Sequence, residues 1–183
     1  MMTVDLILQQ KFHIKPRFVE KEDAAFILKL RTDVILGRYL SPTVNNVKTQ
    51  EEWIEKYKER EDAEQEFYFI FENENGDKLG VNRIYNLDAV SFEIGSWLFM
   101  QNSPEGVSIL ADLFTRDYAF KNISSMEYCR FEVRKENKSV VNYHKRFNPE
   151  IVEEDELNYY FKLNKENYLK HRDLLINMYK NGN

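Results

Sequence analysis

The sequence predicts an α/β chain organised on one mixed sheet. Three observations point there. Strand-like and helix-like stretches alternate along the chain, Asn75-Gly76 joins two apolar runs as a hairpin signal, and a long amphipathic stretch from Val107 to Phe120 separates strand-like segments on either side. Hairpins pair antiparallel and a strand–helix–strand crossover pairs parallel, so both kinds of ladder are expected.

Each element has its own local reason. Phe12 to Val19 alternates around Pro16, which suits an edge strand because proline cannot donate to a ladder. Glu20 to Leu30 sets Ala24, Phe26, Ile27, Leu28 and Leu30 behind acidic capping residues and reads as a helix. Arg31 to Leu40 reads as a short irregular helix ending near Ser41-Pro42. Thr49 with Glu52 resembles a capping box, opening a helix with Trp53, Ile54 and Tyr57 on one side. Phe67 to Phe71 is too short for a helix, Leu79 to Leu87 is its return strand, and Val90 to Met100 follows the turn at Asn86 to Ala89. Val107, Leu110, Ala111, Phe114 and Tyr118 recur at helical spacing, with Leu113 and Phe120 widening the stripe. Met126 to Val133 alternates, with Cys129, Phe131 and Val133 on one face and Tyr128, Arg130 and Glu132 on the other. Asn137 to Phe147 is a short helix, Ile151 to Glu154 and Tyr159 to Leu163 are closing strands, and Asn164 to Lys180 is a terminal helix.

Composition narrows the function classes. The 183 residues carry 31 acidic and 26 basic side chains, a formal net charge of -5, with 43% hydrophobic residues. That is a globular balance, expected to fold as a single domain over 1–183 with a core of about 12–163 and a C-terminal helical extension at 164–181. A lone cysteine, Cys129, excludes an internal disulfide framework and a Cys-based metal cluster, and is expected to be a small buried hydrophobe. No metal is expected. The acidic balance argues against a nucleic-acid partner. No apolar run approaches the ~20 residues of a membrane helix, and the opening MMTVDLILQQ lacks a basic n-region and a cleavage site. The expectation is a soluble cytoplasmic protein with no membrane partner, and a homodimer is compatible with it.

Three stretches carry possible chemistry. Phe92 to Phe99, then Gln101-Asn102-Ser103-Pro104-Glu105-Gly106, then Val107-Ser108 form a strand, a polar loop and a helix start. Free N–H groups at such a start, backed by the helix dipole, bind phosphate oxygens without basic side chains. Asn137 is a natural helix N-cap, and Tyr143 and His144 are each usable as proton donors. Arg130, Arg134, Lys135, Lys138, Lys145 and Arg146 outnumber Glu132 and Glu136, making either a solvated face or a seat for a polyanion.

From Phe12 to about Leu163, this order of elements resembles the GNAT acetyltransferase superfamily. Asn137 and His144 stand where that family has the asparagine and tyrosine of its N…YEKLGF stretch, with His144-Lys145-Arg146-Phe147-Asn148-Pro149 replacing the usual residues. Asn148 takes the glycine's place, which asparagine tolerates because it also reaches the left-handed region. The family's Gln/Arg-x-x-Gly-x-Gly/Ala loop is not met, since Gln101 and Gly106 are further apart. Arg31…Arg38-Tyr39-Leu40-Ser41 and Gln50-Glu51-Glu52-Trp53 look like the branch that acetylates nucleotide-linked amino sugars.

The resemblance implies a GNAT-like acyl-CoA N-acyltransferase fold, a central mixed sheet with helices on both faces plus the C-terminal helix. It implies acetyl-CoA as co-substrate and a primary amine as acceptor. Two parallel strands would splay apart to take the pantetheine arm, with Gly95 at a bulge opening that edge. Coenzyme contacts would come from Trp97, Leu98, Phe99, Gln101, Ser103, Glu105, Gly106, Val107, Ser108 and Asn137. Glu93 would be the base, or else an exposed carboxylate or a partner for Arg83. His144 or Tyr143 would protonate the departing thiolate. Arg31, Arg38, Tyr39, Trp53, Arg83 and Tyr85 would line the acceptor pocket, where arginines suit a nucleotide diphosphate. The competing readings are an acetyltransferase of protein N-termini and a non-catalytic acyl-CoA-binding domain.

Overall fold

The computed structural model describes residues 3–181, with side chains through residue 179. Residues 1, 2, 182 and 183, part of the expected domain range, lie outside the described residues. Helix α1 (Val4–Phe12) precedes strand β1 (Ile14–Phe18), and a single 3₁₀ turn leads into α2 (Ala24–Thr32). Helix α3 (Val47–Asp62) is followed by β2 (Phe67–Asn73), β3 (Lys78–Tyr85) and β4 (Ser91–Phe99). Then come α4 (Val107–Asn122), β5 (Tyr128–Arg134), α5 (Lys138–Lys145), β6 (Glu150–Glu154), β7 (Asn158–Asn164) and α6 (Lys165–Asn181).

The seven strands form one sheet in the order β1-β2-β3-β4-β5-β7-β6. Every neighbouring pair is antiparallel except β4 and β5, which the α4 crossover makes parallel. The mixed sheet is therefore as expected. One face packs against α1, α4, α5 and α6, burying Ile7, Phe92, Leu110, Phe131 and Tyr168. The other carries α2 and α3 only over its β1–β4 half, burying Ile27, Ile54, Tyr57, Tyr68 and Val81. Burying these side chains supplies the main stabilisation, about 1.5–3 kcal/mol for each large apolar group.

Several expectations are corrected locally. The apolar patch at Val4, Leu6, Ile7 and Leu8 is helix α1, started by Thr3 Oγ1 accepting from the Leu6 N–H at 3.3 Å and ended by His13 at φ 54°. Arg31 to Leu40 is not a helix. After Thr32 the chain turns, with Asp33 Oδ1 accepting from Ile35 and Leu36 N–H, an arrangement that competes with helical bonding. Helix α3 begins earlier than the capping-box reading: Asn46 is its N-cap and accepts from the Thr49 N–H at 3.0 Å. Asn137 occupies the N-cap position of α5, yet its side chain makes no capping bond. The terminal helix packs on the same body, with Tyr168, Leu175 and Ile176 buried in the larger core.

Candidate active site

The parallel pair is short. Ser91, Phe92 and Glu93 pair with Tyr128, Cys129 and Arg130, and beyond that point β4 and β5 separate. The separation leaves a cleft of about 120 Å³ between them, lined by Gly95, Ser96, Trp97, Phe131, Asn137 and His144 among others. An unpaired β-edge is a ready template for an extended ligand that adds as a strand.

The device that opens this edge is not Gly95. Between the Val81–Leu98 and Arg83–Gly95 pairs, β4 contains one residue more than β3, and Ser96 lies in the left-handed region at φ 52°. A serine held there is strained, and such strain gathers at functional sites. Gly95 serves a different need: a Cβ on it would come within 2.9 Å of the Tyr85 ring.

Ser96 also borders a second cavity of about 360 Å³ on the opposite side of the bulge, between α2, α3 and the sheet. Of the residues expected to line the acceptor pocket, Arg31, Trp53 and Arg83 line this cavity. Tyr39 lines the β4–β5 cleft instead, where the turning chain after α2 brings its hydroxyl to the Glu136 carbonyl at 3.4 Å. Arg38 is exposed with its guanidinium over the Tyr39 ring, and Tyr85 lies under Arg83 and against Gly95. Sequence reading missed Thr43, Tyr68 and Ser96, and it quoted Ser41 and Gln50 only within the branch-like stretches without placing them at this cavity, where the turn after α2 and the bulge help bring them together.

The two cavity arginines differ. Arg83 donates to Glu66, which Arg60 also engages, and its guanidinium stacks between Trp53 at 4.9 Å and Tyr85 at 4.7 Å. Among the described residues Arg31 donates to hydroxyls: Thr43 at 2.8 Å, Ser96 at 3.3 Å and Ser41 at 3.5 Å. No carboxylate lines this cavity among the described residues. The Tyr68 hydroxyl is buried there without a well-formed hydrogen bond, and burial pushes its phenol up despite the Arg31 and Arg83 charges.

Glu93 stands on the same face as Gly95, at the last paired position before the strands part, and lines neither cavity. Its carboxylate accepts from Asn86 at 3.1 Å and faces Arg130 at 3.7 Å. Arg130, not Arg83, is thus its ionic partner, because Glu66 already holds Arg83.

The proton-donor candidates belong to a buried polar network beneath the cleft, in which His144 also lines the cleft wall. The Tyr143 hydroxyl donates to Asp112 at 2.8 Å, and burial together with that carboxylate pushes the phenol well above its ordinary value. A phenol so held is not a ready acid. Arg116, wholly buried, donates to Asp112 at 2.9 Å and to Nδ1 of His144 at 3.4 Å. Burial, then the Arg116 charge, push the His144 imidazole down to about 3, so it is neutral near pH 7. Cys129 sits beside Arg116, and burial pushes its thiol up to about 12, which fits the small-hydrophobe expectation.

The loop before α4 has backbone features suited to an anion. Gly106 precedes the helix at φ 87°, and no side chain caps the helix start. The Tyr179 ring of α6 lies directly against Gly106, where a Cβ would overlap it, so the mouth of α4 is bordered on that side. Trp97 lines the cleft and packs on Tyr143 and His144, while its Nε1 donates to the Ser108 carbonyl at 2.9 Å and ties β4 to α4. Leu98 and Phe99 pair with β3, Leu98 in the smaller core. Ser103 donates to the Leu79 carbonyl at 3.3 Å, while Gln101 and Glu105 are exposed. Asn148 adopts φ 51°, as its substitution for glycine requires.

A sheet whose one parallel pair among the described residues opens near a bulge, ahead of an uncapped helix, defines a class, and the comparisons agree with it. Residues 16–148 match the family model of the acetyltransferase (GNAT) domain, and the chain belongs to that family. It is an acetyl-CoA-dependent N-acetyltransferase. Among solved structures it is similar to apo FdhC, a nucleotide-linked sugar GNAT, with TM-score 0.78 and 30% identity over 88% of this chain and 92% of that one. Ribosomal-protein-S5-alanine acetyltransferase from Vibrio fischeri aligns with TM-score 0.72 and 14% identity, covering 84% of this chain and 94% of that one. Spermidine N-acetyltransferase from Vibrio cholerae, in complex with CoA and spermine, gives 0.71 and 17%, covering 86% and 99%. These last two share the fold alone. No curated protein matches the sequence. Among the described residues no helix is long and apolar enough to cross a membrane.

Proposed function

We propose that the protein transfers an acetyl group from acetyl-CoA to the primary amine of a nucleotide-linked amino sugar. One observation carries the reading: the β4–β5 cleft and the acceptor cavity share Ser96, so a thioester in the first and an amine in the second converge on the same bulge. Holding two reactants in contact removes much of the entropic barrier, up to about 7 kcal/mol or more when alignment is ideal.

The charge of the acceptor cavity supports the substrate class. Arg31 is satisfied by neutral hydroxyls, which leaves its positive charge for an anionic ligand such as a diphosphate. Trp53 and Tyr68 offer ring faces for a sugar or base. A polyamine would call for carboxylates, and this cavity has none among the described residues. The similarity to a nucleotide-linked sugar GNAT points the same way.

In the proposed reaction the amine nitrogen attacks the thioester carbonyl carbon and the carbon–sulfur bond breaks. Glu93, on the acceptor face of β4, takes the ammonium proton through water. His144 faces the departing sulfur from the cleft wall. The coenzyme diphosphate rests on backbone N–H groups of the Gly106–Ser108 turn, and Asn137 meets the pantetheine arm.

A thiol-release assay with acetyl-CoA tests this against nucleotide-linked amino sugars, the same sugars without nucleotide, peptides and polyamines. The nucleotide-linked sugar should be turned over with kcat/KM on the order of a hundredfold above the free sugar, the contribution expected of charge-assisted contacts. Turnover of peptides or polyamines with none of the sugars overturns the proposal.

A further inference from the structure

Beneath the cleft, four polar side chains from two helices share one dry space. Asp112 and Arg116 come from α4, and Tyr143 and His144 from α5. Arg116 sits 4.7 Å above the Phe131 ring, and that ring lies 4.4 Å from the His144 imidazole. A buried ion pair is weak evidence for stability, since desolvation offsets much of its attraction. The pair here does something a hydrophobic pair could not: it aims a cationic N–H at one nitrogen of His144.

A carboxylate beside an imidazole accepts from Nδ1–H and favours the charged ring. Here the polarity is reversed. The carboxylate stands one step back, behind a guanidinium that has only donors, so Nδ1 can only accept. The neutral ring then carries its proton on Nε2. Other charged or titratable groups facing the ring's surroundings are Cys129, Glu132 and Arg134 on β5 and Tyr143 on α5. None of them supplies a carboxylate to Nδ1.

We propose that Arg116 is a positioning residue that fixes His144 as the neutral Nε2–H tautomer, so that His144 acts on the departing sulfur as a hydrogen-bond donor and not as a titrating acid. This rests on reading the β4–β5 cleft as the seat of the thioester. The step balances: the carbon–sulfur electron pair leaves on sulfur, Nε2–H stabilises the thiolate, and the proton that the nitrogen sheds as the amide forms passes through water to that sulfur. The ammonium proton leaves separately, through Glu93. A thiolate of ordinary pKa, about 8.5, leaves readily with that much help. The depressed His144 value agrees with this arrangement, since burial and Arg116 both disfavour the imidazolium.

Imidazole ¹H–¹⁵N correlation spectra of the coenzyme-free wild-type protein test the tautomer directly. His144 should show Nε2–H and a deprotonated Nδ1 throughout, without titrating between about pH 5 and 8. An Nδ1–H tautomer, or titration near the ordinary value of about 6.5, overturns the proposal. This measurement needs no turnover, so it is separable from failure of the substrate reading, which would appear as no thiol release by the wild type. In kinetics, Asp112→Asn with Arg116→Gln removes both charges together and leaves Tyr143 an acceptor. The doubly substituted enzyme should stay folded, lose roughly tenfold in kcat, about one hydrogen bond's worth, and gain an acidic limb in its pH profile. Unchanged kcat and an unchanged profile overturn it. His144→Gln, which retains an N–H donor near the Nε2 position, should keep severalfold more kcat than His144→Ala, and equal loss by the two counts against the proposal.

Discussion

Arg31 and Arg116 lie on opposite sides of the same sheet and are used in opposite ways. Arg31, at the cavity between α2, α3 and the sheet, is half-buried and held by three hydroxyls that carry no charge. Arg116, beneath the β4–β5 cleft, is fully buried against a carboxylate that neutralises it. The partner decides what the cation can do. Hydroxyls orient a guanidinium and leave its charge for a ligand, whereas a buried carboxylate offsets that charge, so what remains acts on a buried neighbour such as His144 and not on a ligand. Arg83 lies between these cases, since Glu66 takes its charge while its plane stacks on Trp53 at the cavity wall.

The largest expected effect separates the two arginines by stability. Arg116→Met strands the Asp112 charge in the core and should cost about 3–5 kcal/mol in chemical denaturation, while Arg31→Met should cost less than about 1 kcal/mol. Similar losses for both would break the contrast.

Acid unfolding comes next. His144 has a folded value of about 3 against an unfolded value of about 6.5, so the unfolded chain binds the extra proton between them. Its contribution is fully present above pH ~6.5 and is lost as pH falls toward 3, at up to ~1.4 kcal/mol per pH unit. His144→Gln should flatten that part of the stability curve relative to wild type. Parallel curves would show that the ring is not held neutral.

Binding supplies the third test. Arg31→Met should raise KM for the nucleotide-linked amino sugar by roughly tenfold to a hundredfold, the range for hydrogen bonds to a charged group, with kcat changed far less. An unchanged KM would place the anion elsewhere. The smallest effect is that of salt. Raising ionic strength from ~0.1 M to ~1 M should raise that KM a few-fold by screening Arg31, while leaving the Arg116-dependent stability difference nearly untouched.

Much of this fold is legible in local pattern. The Asn75-Gly76 turn, the stripe on α4 and the alternation of Cys129, Phe131 and Val133 each predict their element, because each depends on residues near in sequence. The errors fall where a local signal competed with another. Asp33 bonds to the N–H groups after it and ends the helix that Arg31 to Leu40 seemed long enough to form. Gly95 drew attention as the permissive residue, yet the left-handed position belongs to Ser96. Asp112 and Arg116 are not singled out by the sequence, because an i, i+4 acid–base spacing is ordinary on a helix surface and only burial marks this pair.

The sequence by itself determined the order of strands and helices from β2 onward, the crossover that makes one pair of strands parallel, and the asparagine-to-histidine stretch by which the family resemblance is recognised. Hydrophobic period and turn chemistry act over a few residues, so they are written locally. Tertiary structure decided the rest: that Ser96 joins two cavities, that Arg31 meets hydroxyls, and that His144 is held neutral. A side chain's ionisation and availability depend on burial and on partners from distant segments, and those distances exist only once the sheet has closed around them.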